Sequence, residues 1–302
     1  MNERVINIAT ILNGKKLADG VCEDLKMRVN ELKKFEIQPR LTIVTSGDNE
    51  AGKVYVRNKV RRCEEIGIEA EVIHFDYLTE EDVEDICDRT YNPIIFQMPI
   101  TGSVEEADLT SFVHMSFDVD GFVSLENVGG LASGRNYHNK PCTPKGIMQL
   151  LDEYDIELEG KTVCVIGRSN IVGRPVARMM EQRNATVVQC HSKTPKRVLL
   201  DAVAISDIIV SAAGVEDVLT YNDLYYNIEP DEVTNEDGLV YYDKVFVDVG
   251  INRDKNGKLR GDFDPEIFKH CKAYTPVPGG IGPMTVAMLM ENVVEFYERA
   301  FL

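Results

Sequence analysis

Basic side chains are in short supply. The chain has 33 Lys and Arg against 50 Asp and Glu, a net charge of −17. Such a surface repels polyanions, which argues against nucleic acid or an anionic membrane as the main partner. A small anionic ligand is not excluded, because it responds to local potential. No apolar run approaches the ~20 residues of a membrane-spanning helix. The opening stretch, MNERVINIATILNG, lacks the basic start, apolar centre and small-residue cleavage site of a secretory leader. The seven cysteines are Cys22, Cys63, Cys87, Cys142, Cys164, Cys190 and Cys271; their number is odd and no C-x-x-C occurs. They read as buried free thiols in a reducing compartment, which places the protein in the cytoplasm. The five histidines form no H-x-x-x-H pair, so no metal site is expected.

What is present is ordinary for a globular protein: 302 residues, 44% apolar and 27% charged. That length suggests about two domains. Strand-like and helix-like runs alternate, which points to an α/β fold. In the front part a long helix is expected over 14–35. It is followed by LTIVTS as a strand, KVYVRNKVRRCEEIG as a helix and EAEVIHFD as a strand. TEEDVEDICDR then reads as a helix opened by Thr79, and PIIFQMP as a short buried strand. A weakly periodic stretch, SFDVDGFVSLENVGGLASGRNYHNKPCTP, follows, and long irregular segments are often functional. Thr143 and Pro144 suit the cap and first turn of a helix, and the domain boundary is placed near 145. The rear part carries KTVCVIG, ATVVQCHS, DIIVSAAG and VFVDVG as strands, with an acidic surface insertion at about 215–244. It reads as a Rossmann-like, doubly wound parallel sheet. The last helix, from about 284, is too apolar to lie free and is expected to pack back on the first domain. The domains are thus 1–145 with about 284–302, and 146–283.

VCVIGRSNIVGRP is a strand, a Gly-bearing turn and a helix start. Gly167 and Gly173 are present, but Ser169 stands where a G-x-G-x-x-G fingerprint has its middle glycine, and an ordinary βα turn would look the same. The next strand ends in CHSKT, with Ser192 and Lys193 and no carboxylate. An NAD enzyme usually holds the ribose hydroxyls with Asp or Glu there, so NADP is favoured. Arg168 could add a phosphate contact; Lys193 could equally be a solvated lysine. On the YVRNK helix Tyr55 and Lys59 lie four apart, on one face. Lys53, Arg57, Arg61 and Arg62 make that helix locally basic, a face that could draw an anionic substrate or simply be solvated. Gln97 ends a buried strand, where polar side chains either face a ligand or close the strand. Asp118 and Asp120 are two apart; on an extended segment both point one way, whereas an Asx turn before Gly121 is the other reading.

Taken in order, YVRNK, FQMP, DVDGF, ENVGGL, PCTPKG, GRSNIVGRP, CHSKT, VDVGIN, GDFD and TPVPGGIGPMT resemble the bifunctional methylenetetrahydrofolate dehydrogenase/cyclohydrolases, over about residues 8–300. The resemblance implies NADP-dependent oxidation of 5,10-methylenetetrahydrofolate to the methenyl cation and its hydrolysis to 10-formyltetrahydrofolate. It implies a homodimer with a small folate substrate. By motif, Lys59 looks like the catalytic lysine of hydrolysis, Gln97 like its hydrogen-bonding partner, Tyr55 like the ring that stacks on folate, and Asp120 like the carboxylate that anchors the pterin. Phe96 and Met98 flank Gln97 in the same substrate-binding motif. Gly167, Arg168, Ser169, Ser192 and Ile251 match cofactor-contacting positions. Pro278, Gly279, Gly280, Ile281 and Gly282 would line the cleft near nicotinamide and folate, with glycines allowing close approach and prolines fixing the loop's direction. Gly282 and Pro283 suit a helix cap and first position. The chain departs from the family at Gly52, where Ser is common, at Phe117, where Lys is common, and in the length of the 215–244 insertion.

Overall fold

A computed structural model describes residues 9–105, 108–121, 123, 125–134, 139–225 and 243–302. The chain divides into two compact units. One comprises Ala18–Gly146 with Thr285–Leu302, and the other the residues up to Leu17 with Ile147–Met284.

β1 (Thr10–Ile11) and α1 (Gly14–Lys34) open the chain. In α1, Ala18, Cys22, Leu25, Val29 and Leu32 are buried. Their spacing of three and four is the apolar stripe that drives an amphipathic helix into a core. Lys33 and Lys34 sit at its negative end, where cations are favoured. β2 (Arg40–Ser46), α2 (Glu50–Ile66), β3 (Glu69–Phe75), α3 (Glu80–Arg89) and β4 (Ile94–Phe96) follow. The strands form a parallel sheet in the order β3-β2-β4, with Ile43 opposite Val72 and Ile95. α3 opens as the sequence implies: the Thr79 hydroxyl accepts from Asp82 N and the Asp82 carboxylate accepts from Thr79 N. Thr79 thereby satisfies donors that a bare helix end would leave orphaned.

The weakly periodic stretch contains a helix the sequence pattern did not reveal, α4 (Leu125–Ser133). Its two central glycines hide it, because glycine is a poor helix former. Asn127 ties it down by donating to Asp118 Oδ2 at 3.1 Å and to Met115 O. α5 (Cys142–Glu153) starts one residue before the expected cap at Thr143. Thr143 is inside the helix, and its hydroxyl meets that of Thr285 at 2.9 Å.

In the second unit β5 (Thr162–Ile166), α6 (Gly173–Glu181), β6 (Thr186–Cys190), α7 (Lys196–Ile205), β7 (Ile208–Ser211), α8 (Tyr221–Leu224) and β8 (Val245–Asp248) alternate. A short hairpin, β9 (Asn252–Arg253) with β10 (Leu259–Arg260), precedes β11 (Ala273–Tyr274). Six strands make an all-parallel sheet ordered β1-β11-β8-β7-β5-β6. β7 and β8 are buried throughout, as strands covered on both faces must be. The front end of the chain thus supplies an edge strand to this sheet. Of the expected surface insertion, residues 226–242 lie outside the described residues; the part before them is not a surface segment, since Leu219, Tyr221, Leu224 and Tyr225 are buried in the core with Phe246 and Phe263.

The last helix, α9 (Ile281–Phe301), starts three residues earlier than the sequence suggests. Pro283 is its third residue, not its first; there its missing N–H still costs nothing, because first-turn donors have no partner inside the helix. From Thr285 onward α9 belongs to the unit of α1–α4. Asn292 Nδ2 donates to the carbonyls of Val119 and Lys140, and the Arg28 guanidinium makes a two-pronged contact with the Glu298 carboxylate. Lys145 Nζ, nearly buried, is held by Glu291 at 2.7 Å and Glu295 at 3.2 Å. The helix packs back as its apolar composition requires.

Candidate functional site

In the first unit, α2 carries Tyr55 and Lys59 one turn apart. Tyr55 is exposed, as a ring waiting for a stacking partner would be, and Lys59 is half-buried. Gln97 follows β4 directly, and its N–H continues the sheet by donating to Val44 O at 2.8 Å. Its side chain is oriented at both ends. Nε2 donates to Met98 O at 3.0 Å, and Oε1 accepts from Lys59 Nζ at 3.0 Å. The amide therefore cannot flip without losing two bonds, and the lysine amine is aimed. Phe96, by contrast, turns into the apolar cluster with Val44, Leu78 and Val83, so only its backbone is left for a ligand.

The two aspartates do not share an extended segment. Residues 119–121 form a turn, and the two carboxylates meet different partners. Asp118 is buried and saturated. Its Oδ1 accepts from Gly121 N at 3.0 Å and its Oδ2 from Val123 N at 3.1 Å and Asn127 Nδ2 at 3.1 Å. The turn reading thus holds over the extended one, although the side chain closes on donors three and five residues on and not two as in an Asx turn. Asp120 takes no backbone N–H among the described residues. Loss of water around it pushes its carboxyl upward; Lys59 and a hydrogen bond from Cys142 oppose this, and the Asp118 carboxylate reinforces it. Beside it, Cys142 Sγ points at Val119 O at 3.3 Å, and burial pushes this thiol far up, so it is no nucleophile. The half-buried Lys59 amine and a carboxyl with a raised pKa thus lie close enough to interact.

Of the departures from the family pattern, Phe117 lies against Phe296 with ring centroids 5.5 Å apart. It is a packing ring where a lysine would have been polar. Gly52 is buried, and a Cβ there would meet nothing closer than the Asn49 side chain at 3.5 Å. A serine would fit, so the glycine leaves a small empty space.

In the second unit, the turn after β5 needs its glycines. Gly167 has φ +129°, and a Cβ on it would strike Ala212 O at 2.4 Å. A Cβ on Gly173 would strike Gly167 O at 2.5 Å. Ser169, in place of a middle glycine, closes the turn with its hydroxyl, which accepts from Val172 N and Gly173 N. Arg168 is exposed, and among the described residues it has no ion pair. β6 runs beside β5, so the CHSKT turn lies alongside; it is tightened by His191 N donating to Thr194 Oγ1 and Lys193 N to His191 Nδ1. Ser192 and Lys193 are exposed there. A helix start, two exposed cations, hydroxyls and no carboxylate fit a dinucleotide with an extra phosphate. Ile251 is also exposed, after Gly250, whose missing Cβ makes room for Asp262.

Residues 278–282, a turn that runs into the first two residues of α9, lie in this second unit. Gly279 has φ +107°, and Gly280 N donates to Pro276 O at 2.7 Å. Gly279 O accepts from Lys15 N, and a Cβ on Gly14 would strike Gly280 O at 2.0 Å. Pro278 and Gly282 are exposed and available, whereas Gly280 and Ile281 are buried. Among the described residues no His, Cys, Asp and Glu cluster could hold a metal, and no helix is long and apolar enough to cross a membrane.

Residues 12–120 match the model of the tetrahydrofolate dehydrogenase/cyclohydrolase catalytic domain, and residues 141–301 that of the family's NAD(P)-binding domain. The chain belongs to the tetrahydrofolate dehydrogenase/cyclohydrolase family. It is 40% identical to the bifunctional protein FolD of Nitrosomonas europaea, over 97% of this chain and 95% of that one. The FolD methylenetetrahydrofolate dehydrogenase/cyclohydrolase structure from Campylobacter jejuni superposes with a TM-score of 0.86 at 37% identity, covering 97% of this chain and all of that one. The Trypanosoma brucei enzyme, solved with NADP and an inhibitor, gives 0.83 at 27% identity, over 97% and 98% of the two chains. The family's cofactor-domain match runs through α9, although from Thr285 this helix belongs to the unit carrying Lys59.

Proposed function

We propose that the protein is a bifunctional enzyme of one-carbon metabolism. It oxidises 5,10-methylenetetrahydrofolate to 5,10-methenyltetrahydrofolate with NADP as cofactor and hydrolyses the methenyl product to 10-formyltetrahydrofolate. The observation that carries this reading is the Lys59 Nζ–Gln97 Oε1 contact of 3.0 Å beside a carboxyl raised by burial, in a chain of this family.

The residues divide the labour. Tyr55 offers its exposed ring to the flat folate. Asp120, with its lone pairs not taken by backbone donors, receives the amino edge of the pterin. Gln97 holds the Lys59 amine in one direction, and Lys59 moves a proton between water and a folate nitrogen during hydrolysis. Met98 and the backbone of Phe96 border this site. Bound NADP supplies the hydride acceptor for the oxidative step. Gly167 and Ser169 shape the turn for its pyrophosphate, Arg168, Ser192 and Lys193 take the 2′-phosphate, and Ile251 covers the cofactor. Pro278 and Gly279–Gly282 offer backbone to the ligands. The domain carrying Lys59 is the folate-binding catalytic domain, and the one carrying Gly167 binds the cofactor. The enzyme works in the cytoplasm as a homodimer.

A spectrophotometric assay tests the reading. With methylenetetrahydrofolate, NADP⁺ is reduced well above the NAD⁺ rate, and methenyltetrahydrofolate decays faster than in buffer without any nucleotide. No reduction of either nucleotide would overturn it.

A further inference from the structure

α2 was basic by sequence, but the structure divides its cations. Arg62 pairs with Asp19 and Glu65, Arg61 approaches Glu65, and Lys53 pairs with Asp48. Arg57 has no ion pair among the described residues, and it lines a pocket of about 340 Å³. This pocket lies wholly within the first unit, between the N-terminal half of α2 and the exposed edge of the sheet. Val56, Val72 and Met98 give it apolar walls; Arg57, His74 and the Asp48-paired Lys53 are among the polar groups that line it. His74 is steadied by Thr45 Oγ1, 2.9 Å from its Nδ1, and faces Asp76 at 3.8 Å. Gln97 lines the pocket as well, and the same side chain holds Lys59. An occupant would therefore lie next to the hydrolytic pair.

The space is at the small end of ligand pockets, which run from about 300 to 1,000 Å³. Apolar walls with one free guanidinium select a flat, apolar group that ends in a negative charge, and a guanidinium matches a carboxylate in two-pronged geometry. Gly52 enlarges the site, since a Cβ there would project towards Asn49, another lining residue.

We propose that this pocket is an anion subsite for a flat apolar group ending in carboxylate, with the carboxylate on Arg57. The folate reading above supplies one such group, the 4-aminobenzoylglutamate portion of the substrate, and the proposal rests on that reading for this source. A separate small carboxylate of the same chemistry is the other source.

Two measurements decide it. The first is steady-state hydrolysis by wild type and Arg57→Gln, using methenyltetrahydrofolate and its tetrahydropteroyl amide analogue, which lacks the glutamate carboxylates. With the substrate as source, Arg57→Gln raises KM for the full substrate about tenfold at unchanged kcat, the loss of one charge-assisted contact, and leaves the amide's KM alone. A purely structural role would lower kcat for both. The second is NMR titration of free 4-aminobenzoylglutamate, which needs no turnover and so stands even if the folate activity is absent. Binding that is lost in Arg57→Gln and competes with substrate assigns the pocket to the tail. Binding lost in Arg57→Gln without competition assigns it to a separate carboxylate. The proposal is overturned if wild type and Arg57→Gln bind the free probe alike or not at all, with equal KM values.

Discussion

Two pairs of aspartates, one in each unit, look alike in sequence and are used differently. Asp118 and Asp120 lie in DVDG, and Asp248 and Asp262 in VDVG and GDFD. In the second unit both carboxylates are consumed by their surroundings. Asp248 accepts from Gly250 N, Asp262 N and Phe263 N, and Asp262 from Ser211 Oγ, Ala213 N, Gly214 N, Val215 N and Asn252 Nδ2. They pin the loops that follow β7 and β8. In the first unit only Asp118 is consumed by backbone donors, and Asp120 is left with the Cys142 thiol and the charge of Lys59. The number of backbone donors a carboxylate has already accepted separates a folding role from a chemical one. Gly261 and Gly250 fit the same rule: a Cβ on either would strike the Asp248 or Asp262 carboxylate at 2.0 Å.

The sharpest way to break this comparison is Asp262→Ala. It takes the acceptor from the buried Ser211 hydroxyl and from three partly buried backbone N–H groups at once, and we expect a loss of about 3 kcal/mol in urea unfolding. Near-native stability would mean that these donors do not depend on the carboxylate. Asp120→Asn should do the reverse. Its melting temperature stays at the wild-type value, while kcat/KM for hydrolysis falls about 30-fold, some 2 kcal/mol of transition-state binding. A clear loss of melting temperature with unchanged kinetics would reassign Asp120 to the fold.

A smaller effect concerns pH. Burial raises the Asp248 carboxyl to about 6, against its hydrogen bonds. A raised acid binds its proton more tightly folded than unfolded. Its stabilising contribution is therefore complete below about pH 4 and is lost as pH rises through about 6. Asp248→Asn removes this titration. Stability of wild type relative to the variant should fall between pH 4 and 6, by at most about 1.4 kcal/mol per pH unit. A parallel pair of stability curves would show that Asp248 is not raised.

Much of the fold was legible because its signals are local. The 3–4 spacing in α1, the Thr79–Asp82 box and the apolar strands β5, β7 and β8 each fix an element without long-range help. α4 was not legible, because ENVGGL carries helix-averse glycines and is held by Asn127 reaching back to Asp118, a contact no short window contains. The candidate site was partly legible. Tyr55 and Lys59 follow from helical spacing, but the different partners of Asp118 and Asp120 depend on a turn that spacing alone leaves open. Phe117 looked like a change near the site, and only its contact with Phe296 shows it to be packing. The Arg57 pocket was hidden for the same reason. Four cations on one helix look equivalent until their distant partners, Asp19 among them, are placed.

Hydrolysis depends most directly on the Lys59 amine aimed by Gln97. The measurement is the decay of methenyltetrahydrofolate without nucleotide, for wild type and Lys59→Ala, alongside NADP⁺ reduction with methylenetetrahydrofolate. We predict that the variant loses about 10²–10⁴-fold in hydrolysis, the range of a removed acid–base group, and keeps NADP⁺ reduction within about tenfold. Wild-type hydrolysis in Lys59→Ala would contradict it.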